Sequence, residues 1–98
     1  MENKPVVTFL RGRLASEEAL IITQEECAEV SQAISKILRF GLSGHYEDRT
    51  NKERLEEEIG DLMCMIDILY EKGIISQSMV ETSSVYKREK LKSWSNIL

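Results

Sequence analysis

Residues 16–40 read SEEALIITQEECAEVSQAISKILRF, and their periodicity decides the fold. Projected at about 100° per residue, Ala19, Ile22, Glu26, Glu29, Val30, Ala33, Ile37 and Phe40 share one face of a helix. Ser16 is the expected N-cap, Glu17 and Glu18 suit the positive end of the helix dipole, and Lys36 and Arg39 suit its last turn. Gly41 then supplies a left-handed C-cap. The stretch 41–51 is polar and reads as a loop. Thr50 followed by Glu53 makes a capping box for a second helix over 51–72, on which Leu55, Glu58, Leu62, Met65 and Leu69 form a stripe. Ser76 caps a third helix over 76–95. Alternation with period two is nearly absent, so no sheet is expected. The fold class is all-α: one domain, 1–98, built as an antiparallel helical hairpin plus a third C-terminal helix. Residues 1–15 form an N-terminal arm in which Val6-Val7-Thr8-Phe9 is either extended or a helical turn.

The chain of 98 residues is 42% hydrophobic and 31% charged, the balance of an ordinary globular domain. Its net charge of −4 conceals a split. Residues 16–81 hold 15 acids and 6 bases, whereas the flanks hold 2 acids and 7 bases. A pI near 5.0 argues against a nucleic-acid binder. No apolar run approaches the roughly 18 residues that span a bilayer, and no export segment is recognisable, so the expectation is a cytoplasmic protein without a membrane partner. Cys27 and Cys64 lack a disulfide framework and read as free thiols.

Both helical stripes are interrupted by acids that a dry face does not tolerate. Glu26 and Glu29 lie on the first, and Glu58 lies on the second with Asp61 at its edge. A hairpin brings the two i, i+3 pairs toward each other, although their distances from the loop do not match. Two like charges about 4 Å apart repel by roughly 4 kcal/mol at an effective dielectric near 20. Protonation, basic partners or a divalent cation each relieve such a cluster. An oxygen-only ligand set points to Mg²⁺, with Mn²⁺ as a substitute. A di-iron bundle requires Glu-x-x-His on two helices, and the one histidine, His45, falls in the loop. Glu53, Glu56, Glu57 and Glu71 read as solvated helix charges.

Glu25-Glu26-Cys27-Ala28-Glu29 and Glu58-Ile59-Gly60-Asp61, with 28 residues between them, resemble the E-E-x-x-E and E-x-x-D motifs of the MazG-like family of all-α nucleoside triphosphate pyrophosphohydrolases. The resemblance covers roughly residues 18–72. It implies hydrolysis of a ribo- or deoxynucleoside triphosphate between the α and β phosphates, giving a monophosphate and pyrophosphate. It also implies that Glu26, Glu29, Glu58 and Asp61 hold Mg²⁺, as one ion or two, and that the chain assembles as a homodimer or homotetramer into a larger helix bundle. Glu25 is the candidate water-activating base, with a plain surface role as its alternative.

Triphosphate binding also needs cations, and no phosphate-binding Gly-rich loop is present. The candidates are Lys36, Arg39 and Arg54 near the acidic pairs, and Lys87 and Lys90 in the basic run of the third helix, with Arg88 and Lys92 beside them. Tyr46, Met63, Met65, Tyr86 and Trp94 read as core or subunit contacts, with one unnamed aromatic available to stack a base. The rival reading is a non-enzymatic acidic helical module that binds a basic partner. A degenerate relative that binds nucleotide without hydrolysis is a third.

Overall fold

The computed structural model describes residues 14–98, so most of the expected N-terminal arm lies outside the described residues. The element order is α1 (Ala15–Phe40), β1 (His45–Tyr46), β2 (Arg49–Thr50), α2 (Asn51–Glu71) and α3 (Gln77–Trp94). The model is 76% helical, and the all-α class holds. Two local expectations need correction. The helix starts one residue before Ser16, with Leu14 at the N-cap; the Leu14 amide donates to the Glu17 carboxylate at 3.1 Å, so an acid in the first turn does the capping. The loop is also not featureless. His45 pairs with Thr50 and Tyr46 with Arg49 in an antiparallel strand pair, too short for any alternation to register in the sequence.

α2 begins as its capping box dictates. The Thr50 hydroxyl accepts from the Glu53 amide at 3.0 Å, and the Glu53 carboxylate accepts from the Thr50 amide at 2.9 Å. Ser76 caps α3 by accepting from the Met79 amide at 3.3 Å. α1 and α2 pack along each other, and Ala19, Met65 and Leu69 form the buried centre with Ile22, Ile68, Ile74 and Ile75 against it. The stripes therefore face one another as the wheel requires.

The turn between the helices sets their offset. Gly41 leaves α1 at φ +86°, ψ 163°, a glycine conformation distinct from the expected left-handed cap. The chain then doubles back along α1, and the Tyr46 ring lies 5.0 Å from the Lys36 ammonium, one turn before the helix end. Asn51 is buried, and its side-chain amide donates to the Gly41 carbonyl at 3.0 Å, fastening the start of α2 to the end of α1. Gly44 passes so close to Phe40 that a Cβ there would sit 2.8 Å from the Phe40 carbonyl oxygen.

α3 buries none of its residues and packs along neither of the other helices among the described residues. Tyr46 at 57% exposure and Tyr86 and Trp94 at similar values are surface side chains, not core. Cys27 and Cys64 are free and exposed. No helix among the described residues is long and apolar enough to cross a membrane.

Candidate metal centre and phosphate cleft

The doubled-back loop closes the height mismatch between the two acidic pairs. Glu26 on α1 and Glu58 and Asp61 on α2 each offer a carboxylate oxygen, and the three oxygens all lie within 4.8 Å of one another. Glu26 and Glu58 are half-buried; Asp61 is exposed at the rim, as expected from its place at the edge of the stripe. Burial raises the Glu26 carboxyl above the ordinary carboxylate range, and the charges of Asp61, Glu58, Glu29 and Glu25 push it further. Glu58 is raised for the same first reason, then by Glu29, Asp61 and Glu57, with Arg54 opposing.

Glu29 stands apart from the three converging oxygens. It faces an adjoining cleft of ≈ 300 Å³ lined by Glu29, Gln32, Ala33, Lys36, Arg54 and Glu58. Glu25 is exposed on the flank of Glu26, close enough to act on it as a charge. Lys36 and Arg54 thus reach the carboxylates from opposite helices. Arg39 lies over the Phe40 ring at 5.4 Å and does not line this cleft. Lys87 lies over the Trp94 ring at 5.1 Å, and Lys87 and Lys90 stay on the detached α3, away from the cleft.

The chemistry available follows from this donor set. Three hard oxygens from two helices suit an octahedral divalent cation such as Mg²⁺, which takes one or two carboxylates and keeps water or phosphate oxygens for the rest. At Mg–O distances near 2.1 Å, cis ligands stand about 3 Å apart, so small side-chain rotations bring these oxygens onto one ion. Two cations beside such a centre leave room for an anion that an acidic cleft alone would repel. At the lower end of ligand-pocket volumes, the cleft accommodates phosphate groups and is too small for a whole nucleotide. No family model, curated protein or solved structure matches the chain.

The sequence did not place Tyr46 at this site. Its ring lies 5.0 Å from the Lys36 ammonium and 5.8 Å from the Arg54 guanidinium, within range of cation–π attraction for both. The hairpin signal that would have located it is a two-residue turn, Glu47-Asp48, with Glu47 at φ +59° where glycine is the usual occupant.

Proposed function

We propose that this protein is a Mg²⁺-dependent nucleoside triphosphate pyrophosphohydrolase of the MazG-like kind, acting as a homodimer or homotetramer. The observation that carries the reading is the convergence of Glu26, Glu58 and Asp61 beside a cleft holding Lys36 and Arg54. A cluster whose charges raise each other's proton affinity is costly to the fold, and it is best understood as a seat for a cation.

Glu26, Glu58 and Asp61 would hold the ion, with Glu29 at the cleft wall either completing its shell or holding a second one. Bound Mg²⁺ supplies charge neutralisation of the triphosphate and of the departing pyrophosphate. Lys36 and Arg54 bind and orient phosphate oxygens on the side opposite the carboxylates. Water attacks the α-phosphorus, and the bond from that phosphorus to the α,β-bridging oxygen breaks. The water's proton passes to a carboxylate, with Glu25 the nearest acid outside the converging set. Lys87 and Lys90 reach a phosphate only if α3 of another subunit brings them there.

The test is pyrophosphate release from the common ribo- and deoxynucleoside triphosphates with and without Mg²⁺. Release that requires Mg²⁺ and falls at least about a hundredfold in Glu58→Gln, with helicity unchanged, is the expected result. Absence of release from every nucleotide at saturating Mg²⁺ overturns the assignment and favours the acidic interaction module.

A further inference from the structure

Beside the phosphate cleft lies a second pocket of ≈ 490 Å³, lined by Lys36, Phe40, His45, Tyr46 and Asn51. Lys36 belongs to both. We infer that this second pocket is the nucleobase subsite, and that Tyr46 and Phe40 are its stacking surfaces; the inference rests on the nucleotide reading of the neighbouring carboxylates.

Three observations carry it. The lining is flat and aromatic on the side away from the acids, with Phe40, His45 and Tyr46 contributed by the helix end and the strand pair. These rings stay largely exposed, Phe40 at 66% and Tyr46 at 57%, so their faces are not used up by the protein's own core. The pocket's charged wall is the same Lys36 that lines the phosphate cleft, and Arg54 of that cleft approaches the Tyr46 ring at 5.8 Å. An occupant must therefore be an aromatic heterocycle bearing an anionic chain on one side. A nucleotide has that form, whereas an apolar ligand leaves Lys36 unmatched and a bare polyphosphate leaves the rings unmatched.

The spacing agrees. Phe40 stands 11 residues beyond Glu29 on α1, about 16 Å along the helix axis, comparable with the reach of an extended nucleoside triphosphate. The base sits at the loop end, the phosphates pass Lys36 and Arg54, and the chain ends at Glu26, Glu58 and Asp61. The floor of the pocket is Asn51, held by its bond to Gly41, so the subsite has a rigid base beneath its exposed rings.

Calorimetric titration of the full chain with Mg²⁺ present tests this, using the eight common ribo- and deoxynucleoside monophosphates and inorganic pyrophosphate as separate probes. Tyr46→Ala is expected to weaken the tightest monophosphate about tenfold, the usual scale for loss of one stacking partner. Pyrophosphate should bind that variant within about twofold of wild type, and Tyr46→Phe should match wild type for both probes. Equal weakening of pyrophosphate and monophosphate by Tyr46→Ala overturns the subsite, because Tyr46 then serves to hold Lys36 and Arg54. Unchanged monophosphate binding in both Tyr46→Ala and Phe40→Ala overturns it too, while leaving the pyrophosphohydrolase reading intact. Failure of every probe to bind wild-type protein removes that reading and the subsite together.

Discussion

Glu26 holds its proton more tightly than an ordinary carboxyl because it is desolvated and faces other acids. The folded protein therefore binds more protons than the unfolded chain in the window that begins near 4.5 and ends above the raised value. Stability without metal falls as pH rises through that window, and the deficit persists at neutral pH. Glu58 acts in the same direction. Glu26→Gln in the metal-free protein should therefore raise the melting temperature at pH 7 by about 2–5 °C, with little gain at pH 4. Mg²⁺ should reverse the ranking, stabilising wild type more than the variant, since a ligand of the native state raises stability in proportion to its affinity. Calorimetry at the two pH values, with and without Mg²⁺, checks both halves. These acids were legible in the sequence because an i, i+3 pair on an apolar stripe has few bland explanations. Which three of the four would converge was not legible, because it depends on the sliding offset of two helices.

That offset is the property of an element, the turn at residues 41–50. Wheel projection finds the facing sides of α1 and α2 but carries no information about their relative height. The height is set by the glycine-dependent exit at Gly41, the Asn51 clamp and the close passage of Gly44. A Cβ at Gly44 meets the Phe40 carbonyl oxygen and the Asn51 amide nitrogen, both at 2.8 Å. Gly44→Ala should destabilise the fold by about 1–3 kcal/mol, as overpacking does. Gly60 gives the opposite sign. It sits inside α2, and a Cβ there meets nothing within 4 Å. Gly60→Ala should stabilise by about 0.5–1 kcal/mol through helix propensity and lost unfolded-state entropy. Urea denaturation of the two variants decides between a turn held by tight contact and one with slack. The capping residues Thr50, Glu53 and Ser76 were readable because they act within three or four residues. The strand pair was not, since its pairing follows from the turn and leaves no periodic trace.

The whole molecule does not cover itself. Its radius of gyration is 16.5 Å, against about 12–13 Å for a compact chain of this length. It exposes 7751 Å² of surface, about 2,000 Å² more than a compact 11.3 kDa protein. Among the described residues only Ala19, Ala33, Asn51, Met65 and Leu69 are buried. Met79, Tyr86 and Trp94 stand exposed on a helix that touches little of its own chain. An excess of that size matches one subunit's share of an obligate interface, which supports the proposed homo-oligomer. Light scattering on the eluting protein should give a dimer or tetramer at micromolar concentration. Met79→Glu combined with Tyr86→Glu, two positions about 20° apart on the helix wheel, should shift it to monomer and lower its thermal stability. A monomeric wild type under the same conditions removes the oligomeric part of the proposal. The isolation of α3 was the least readable feature. Its sequence caps and terminates a good helix, and nothing local distinguishes a helix that folds onto its own hairpin from one that reaches elsewhere.

The turn that fixes the offset also has a consequence in time. Every carboxylate of the centre lies between Glu25 and Asp61, within one hairpin closed by a ten-residue connection. Contacts so near in sequence form early and fast, because little chain entropy is lost in closing them. The acidic cluster is therefore assembled while α3 is still being synthesised, and subunit docking comes last, at a rate that depends on concentration. Refolding should show a rapid unimolecular gain of helix followed by a slower bimolecular phase, and the carboxylate seat is complete before the second phase begins.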